Sequence, residues 1–283
     1  MRKLVIDRAA IKNNLTVIKD RAAGAAIYGV LTGDGQGVGT AALAQLLRDE
    51  GIGRFAVSEV SEAEALRQAG FVDEEILMLR ATTDREELER LVDLNVVCTV
   101  SSVDTGMALN ALAGNRSTVA EAHIQVDTGM GFGGFLVSEP EKLLLAYRSM
   151  PNVALSGVYT QLHAARPNDP QAKRQLEQFQ LALDAIHQAG FETGAVHAAG
   201  SFALLHGLAP ELDGVRAGSA ILGRCRRTRD DGLKTVGFGQ APLTEVRWLP
   251  KGHVLGVDRP VTLKKPTRVA VLPVGKKNGF GIT

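Results

Sequence analysis

Eight short apolar runs alternate with amphipathic stretches between residues 27 and 216 of this chain. Each run has the length of a buried strand, and the stretches between them place apolar residues at helical spacing. Eight strands with intervening helices predict an α/β fold, a (β/α)8 barrel of the TIM type. A doubly wound open sheet is the competing topology, but the strand count and the lack of a G-x-G-x-x-G turn favour the barrel. The candidate strands are Ile27–Leu31, Arg54–Val57, Glu75–Leu79, Val96–Val100, Glu121–Val126, Val153–Val158, Gly194–His197 and Gly214–Arg216.

Helices are predicted before and between these strands. A leading helix begins after Asp7, where the apolar residues that follow share one helical face. The other candidate helices are Ala41–Asp49, Ser61–Ala69, Arg85–Leu94, Ser102–Ala113, Glu139–Ser149, Ala172–Ala189 and Ser201–His206.

The residue pattern of the sequence changes after Arg229. From Val236 onward, short β-rich pieces are separated by glycine and proline, with almost no helical periodicity. We therefore predict two domains, a barrel over residues 1–231 and a small β domain over residues 232–283. Because the chain ends directly after a strand and a glycine-rich turn, we expect this β domain to be truncated.

Composition excludes several classes of partner. The net charge is +1 over 283 residues, so no bulk field would attract nucleic acid or an anionic membrane. The sequence has neither a signal peptide nor a transmembrane run. The two cysteines, Cys98 and Cys225, lack the neighbours of a metal site or a redox motif. We expect a cytoplasmic protein with no bound metal, no nucleic-acid partner and no membrane contact.

A glycine-rich loop follows the first predicted barrel strand. Residues 33, 35, 37 and 39 are all glycine, and glycines at this density let a backbone turn sharply and approach a ligand closely. Catalytic groups of a barrel come from the C-terminal ends of its strands. At this strand end the only reactive side chain is the hydroxyl of Thr32.

Two further strand ends favour an anionic ligand. Ser201 follows the strand that contains His197, and Gly218 and Ser219 follow the next strand, which contains Arg216. Backbone N–H groups and hydroxyls after the last two strands are the usual phosphate site of a barrel. Each residue also has a plainer interpretation: Ser201 as a helix N-cap, and His163 and His197 as polar groups that line the barrel.

At this point the chain resembles the alanine racemase family, pyridoxal phosphate (PLP) enzymes of fold-type III with a barrel and a β domain. The resemblance runs in order along nearly the whole chain, and the family's β domain normally continues well past residue 283. The matching stretches are Tyr28–Gly39, Phe55–Ser58, Glu62–Leu66 with Gly70, His123–Gly131, Gln161–Ala164, Gln175–Phe179, His197–Ser201, Val215–Gly223, Pro273–Gly275 and Asn278–Gly279.

The resemblance implies a cofactor-binding role for several residues. It places Ser201, Gly218 and Ser219 on the phosphate of PLP, and Arg216 against the pyridine nitrogen. An arginine there would keep that nitrogen unprotonated and weaken the ring as an electron sink. His163 would lie beside the ring. The phosphate-binding tyrosine of the family's glycine loop is replaced by Gln36.

Every other departure from the family falls on residues that correspond to the family's catalytic residues. The family's Schiff-base lysine corresponds to Thr32, and its second base, a tyrosine that acts across the dimer interface, corresponds to Val257. Racemisation needs a base on each face of a planar intermediate, and each positioned base is worth about 10²–10⁴-fold in rate. The remaining family positions are changed to Gln125 (lysine in the family), Phe132 (arginine) and Lys276 (tyrosine).

We therefore predict a catalytically disabled homologue that binds PLP without a covalent link, or no longer binds it. One alternative is an active amino-acid racemase that uses Lys276 as an unusual anchor. Another is a non-catalytic scaffold or heteromer partner. The expected partners are a small molecule, an amino acid or PLP, and a second copy in a homodimer.

Overall fold

The computed structural model describes residues 1–163, 169–208, 212–225, 231–256, 260–275 and 278. Within these residues, strand β1 (Lys3–Ile6) precedes eight parallel strands of one sheet. All eight were predicted from the sequence, with ends that shift by three residues or fewer. They are β2 (Ala26–Val30), β3 (Arg54–Val57), β4 (Glu75–Met78), β5 (Cys98–Val100), β6 (Ala120–Asp127), β8 (Val153–Tyr159), β9 (Ala195–Gly200) and β10 (Gly214–Ala217).

The sheet closes into a barrel. Its strand order is β4-β3-β2-β10-β9-β8-β6-β5, and the two end strands meet through a parallel bridge between Leu77 and Val97. The backbone N–H of Met78 donates to Val97 O at 2.9 Å, and Val97 N donates to Ile76 O at 2.8 Å. The predicted (β/α)8 barrel is confirmed, and the doubly wound open sheet is wrong.

The helices also occur where the sequence predicts them. Helix α1 precedes the first barrel strand and places its apolar face against the barrel core, where Leu15 and Ile18 are fully buried. The turn α2 follows β2 directly. The helices are α1 (Arg8–Ala22), α2 (Thr32–Gly37), α3 (Thr40–Asp49), α4 (Val60–Gln68), α5 (Arg85–Asp93), α6 (Val103–Asn115), α7 (Pro140–Ser149), α8 (Pro170–Gln188) and α9 (Ser201–Leu205).

Strand β7 (Phe135–Leu136) pairs with the C-terminal end of β6. The chain after the barrel forms short antiparallel ladders. In these, β12 (Glu245–Leu249) pairs with β15 (Thr267–Val271), and β13 (Val254–Leu255) pairs with β14 (Val261–Thr262).

The chain divides into two compact units, one of residues Arg8–Val236 and one of Met1–Asp7 with Gly237–Thr283. The boundary lies between Val236 and Gly237, where the sequence predicted it between residues 231 and 232, and the first seven residues belong with the C-terminal segment. Strand β1 pairs antiparallel with β11 (Gly237–Gln240), from Lys3 opposite Gln240 to Ile6 opposite Gly237. Local sequence patterns carry no information about a pairing across nearly the whole chain.

Among the described helices, none is both long enough and apolar enough to cross a membrane.

Candidate functional site

The segment after β2 forms a left-handed turn. From Gly33 to Gln36 the φ angles are 70°, 52°, 61° and 55°, which is the left-handed region that L-residues adopt at a cost of roughly 1–2 kcal/mol each. Glycine at residues 33 and 35 removes that cost at two of the four positions. The sequence predicted a sharp glycine turn here, but it did not predict that Asp34 and Gln36 would also be left-handed.

Side chains from three other parts of the barrel unit stabilise this turn. The Asp34 carboxylate accepts hydrogen bonds from the backbone N–H and the hydroxyl of Thr40, at 3.0 and 3.2 Å. The buried carboxylate of Glu62 accepts from the backbone N–H of Asp34 at 3.0 Å. Arg224 donates to the carbonyl oxygen of Gln36 at 3.0 Å. The strained backbone is therefore held in place at both ends.

A cavity of about 400 Å³ lies beside this turn, where the C-terminal ends of β2, β4, β8, β9 and β10 meet. Most of the residues predicted for the site line it. Thr32 is half-buried and is not among the lining residues, and Val257 lies outside the described residues. The six predicted residues that line the cavity are Gln36, His163, Ser201, Arg216, Gly218 and Ser219.

One corner of the cavity is built around Ser201. Its hydroxyl oxygen accepts hydrogen bonds from the backbone N–H groups of Gly218 and Ala220, both at 3.1 Å. A side chain at position 218 would overlap the amide group of Gln36 and would approach Val30 to 3.0 Å. Glycine at this position therefore lets the Gln36 amide pack directly over the backbone.

Arg216 also lines the cavity and is buried, with 4% of its surface exposed. Its Nη2 atom donates to Thr160 O at 2.7 Å and to Gln161 Oε1 at 2.9 Å. Among the described residues it has no carboxylate partner. Burial lowers the pKa of Arg216 to about 10, so the guanidinium stays charged at neutral pH. An uncompensated buried cation is costly, and it favours a ligand with negative charge or an exposed lone pair.

Two buried histidines support Arg216 from inside the barrel. Arginine can only donate, so Arg216 Nη1 bonds to an unprotonated His197 Nδ1, and His197 Nε2–H then donates to His123 Nδ1 at 3.0 Å. Burial, followed by the charge of Arg216, lowers the pKa of His123 to about 4 and that of His197 well below its usual value. Tyr28 and Tyr159 stack on the two faces of His197. His197 is thus a satisfied polar group of the barrel interior.

His163 lies at the rim of the cavity with an acceptor at each ring nitrogen. Its Nδ1 lies 2.6 Å from Gln175 Oε1, and its Nε2 lies 3.2 Å from Asp169 Oδ2. The same Gln175 oxygen accepts from the backbone N–H of His163 at 3.1 Å. These contacts set the orientation of the imidazole ring before any ligand enters.

Two residues take part in this site for which the sequence predicted no role. Gln161 lines the cavity and accepts from Arg216, and His123 ends the hydrogen-bond chain behind it. Gln161 directly follows β8 and begins one of the stretches that resemble the family, but its contact with Arg216 was not predicted. His123 lies inside β6, where an inward-facing polar residue cannot be told from a core position by pattern alone.

The comparisons with known proteins agree with this architecture. A family model described as "Alanine racemase, N-terminal domain" matches residues 6–225. The alanine racemase of Carboxydothermus hydrogenoformans is 30% identical over 278 residues, which cover 95% of this chain and 74% of that protein. The alanine racemase of Clostridium tetani is 28% identical over 283 residues, covering 97% of this chain and 72% of that protein.

Solved structures show the same fold. An alanine racemase from Streptomyces coelicolor A3(2) is 25% identical with a TM-score of 0.86, covering 98% of this chain and 76% of its own. The alanine racemase of Bartonella henselae, solved with covalently bound pyridoxal phosphate, has a TM-score of 0.86 at 21% identity, covering 99% of this chain and 77% of its own. On the family match and the closed barrel together, the chain belongs to the alanine racemase family of fold-type III.

Proposed function

We propose that this protein is an alanine racemase homologue that binds PLP without a covalent link and does not racemise amino acids. One observation carries the proposal. Among the described residues, the cavity has hydrogen-bond donors suited to a phosphate and to a pyridine nitrogen, but no lysine lines it.

The corner at Ser201 fits a phosphate group. The Ser201 oxygen already accepts two backbone N–H groups, so its own O–H proton is free to donate to a ligand oxygen. The Gln36 amide, which packs over Gly218, adds a side-chain donor in the place where the resemblance has a tyrosine. The hydroxyl of Ser219 also lines this part of the cavity.

Arg216 fits the ring nitrogen of the cofactor. Its Nη atoms are occupied by protein acceptors, while no described residue accepts from its Nε. A guanidinium is a permanent donor, so it would bind a pyridine nitrogen only in the unprotonated form. When it is bound, PLP serves as an electron sink for amino-acid chemistry. Beside Arg216 the ring nitrogen would stay unprotonated, and the ring would then be a weaker electron sink.

Thr32 does not fit covalent attachment. A hydroxyl cannot form an imine with an aldehyde, and this side chain does not line the cavity. A base missing at one face of the substrate would lower the rate of proton transfer by about 10²–10⁴-fold. The residue that corresponds to the second base, Val257, has no exchangeable side-chain proton, and its structure lies outside the described residues.

A PLP titration of the wild type beside Thr32→Lys and Thr32→Met tests the proposal. Equilibrium dialysis measures reversible binding, and mass spectrometry after borohydride reduction measures covalent attachment. We expect reversible PLP binding by the wild type without a mass increase, and a mass increase of one reduced cofactor only in Thr32→Lys. Thr32→Met has comparable length without the amine and serves as the matched control.

Three outcomes would contradict the proposal. A borohydride-fixed mass increase in the wild type would show that another lysine, such as Lys276, anchors the cofactor. D-alanine formed from L-alanine and PLP above a cofactor-only control, measured by chiral chromatography, would show an active racemase. Absence of any PLP binding by dialysis would remove the cofactor from the proposal altogether.

A further inference from the structure

A second cavity, of about 500 Å³, lies on the other side of His163. His163 lines both cavities, and the Ser201 corner and Arg216 line only the first. The walls of the second cavity come from residues 127–129 after β6, from residues 136–138, and from one face of α8. Its volume lies in the range of small-molecule sites, roughly 300–1,000 Å³.

Some polar groups of this second cavity already have partners. The Asp127 carboxylate accepts hydrogen bonds from the backbone N–H groups of Gly129, Met130 and Gly131, at 2.8 to 3.1 Å. The Gln175 amide contacts His163 through its oxygen and donates through Nε2 to Thr128 Oγ1 and Gln161 O. These groups form the floor of the cavity and leave little capacity to bind a cation there.

Other polar side chains of the cavity have no partner among the described residues. Gln171, Arg174 and Gln178 follow each other at spacings of three and four residues on α8, so all three share one helix face. Ser138 lines the same cavity. Arg174 is exposed to solvent, and it is the one positive charge of the lining without a hydrogen bond or an ion pair to a described residue.

We propose that this second cavity binds a small aliphatic carboxylate. A guanidinium binds a carboxylate through two parallel charge-assisted hydrogen bonds. The two glutamine amides and the Ser138 hydroxyl bind further polar atoms of the same molecule. Leu136 and Val137 supply the apolar wall against which its carbon chain packs. This site shares His163 with the proposed PLP site, but none of the residues proposed to bind the carboxylate lines the first cavity.

Binding of glutarate tests this assignment, with 1,5-diaminopentane as a ligand of equal chain length and opposite charge. Calorimetry gives the affinities, and the side-chain amide NMR signals of Gln171 and Gln178 give the location. We expect glutarate to bind and to shift both amide signals, and the diamine to do neither. Arg174→Gln should weaken glutarate binding by about tenfold or more, because it removes a charge-assisted pair.

Lys173→Gln is the matched control, since Lys173 is the adjacent exposed cation and does not line the cavity. It should leave glutarate affinity unchanged. Equal weakening by both variants would mean diffuse surface attraction and would overturn the proposal, as would glutarate that fails to bind or shifts neither amide signal. Both variants should retain the PLP affinity of the wild type. A wild type that binds glutarate but no PLP would contradict the proposed function alone.

Discussion

Arg216 places a full positive charge inside the barrel and is held there by neutral groups. Its partners are three backbone carbonyl oxygens, a glutamine oxygen and the imidazole of His197. The carbonyl oxygens belong to Thr160, His197 and Ala198. The imidazoles of His197 and His123 must both stay neutral for this hydrogen-bond chain to persist. A protonated His197 would place its Nδ1–H donor directly against the Nη1 donor of Arg216. Protonation of either histidine therefore opposes folding.

This arrangement predicts that acid lowers the stability of the folded protein. The pKa of His123 falls from its usual value of 6.5 to about 4 in the folded protein, so the unfolded chain binds more protons between these two values. The free energy of unfolding should be at its full value above pH 6.5 and should fall as the pH is lowered toward 4. The contribution of one such histidine to the slope is at most about 1.4 kcal/mol per pH unit.

Urea denaturation at several pH values, comparing His123→Asn with the wild type, measures this contribution. Between pH 6.5 and 4, we expect the slope of the free energy of unfolding against pH to be smaller in the variant. The decrease should be at most about 1.4 kcal/mol per pH unit, which corresponds to one proton. His187→Asn changes an exposed histidine of α8 and should keep the wild-type slope. An identical slope in all three proteins would show that His123 is not a buried neutral group.

At the scale of elements, α2 is the part of the fold that local patterns describe least well. Its glycines predicted a tight turn, and its left-handed backbone at Asp34 and Gln36 depends on contacts from Thr40, Glu62 and Arg224. Those contacts come from other elements, so no window of sequence around the turn contains them.

Alanine substitutions at the two glycines of α2 should differ in cost. Gly33 has a φ of +70° with open space around it, whereas a side chain on Gly35, at φ +61°, would lie 3.1 Å from Thr40 N. We expect Gly33→Ala to lower the free energy of unfolding by about 1 kcal/mol through backbone strain alone. Gly35→Ala should cost more, about 2–3 kcal/mol, because it also displaces the start of α3. Equal losses in chemical denaturation would mean that α2 relaxes as a whole.

Barrel strands and helices were predictable because each carries its own signal, an apolar run or a helical apolar face bounded by caps such as Asp84 and Ser102. Six site residues were predictable because a barrel places its strand ends together. The pairing of β1 with β11 was not predictable, because it joins segments from opposite ends of the chain. Nor was the role of His123, because its partner His197 lies two strands away in the barrel.

At the scale of the whole molecule, the two compact units differ sharply in their cores. The barrel unit contains nearly all of the buried apolar side chains. In the described part of the other unit, Leu249 is the one buried apolar side chain. Trp248 has 69% of its surface exposed and lies on β12, whose apolar residues are mostly exposed. Local stability follows buried apolar contact, so the ladders of this unit should open far more readily than the barrel.

Hydrogen exchange of the intact protein measures that difference within one sample. The backbone N–H groups of β12 and β15 that point into the ladder donate to carbonyl oxygens of the facing strand. We nevertheless expect them to exchange orders of magnitude faster than those of β3 and β9, after correction for intrinsic rates. Hydrogen bonding alone does not protect an amide when the ladder that contains it opens at little cost. Equal protection in both units would contradict the prediction. It would mean that the apolar faces around Trp248 and Val246 are covered in solution, and a dependence of the protection on protein concentration would identify a second copy of the chain as the cover.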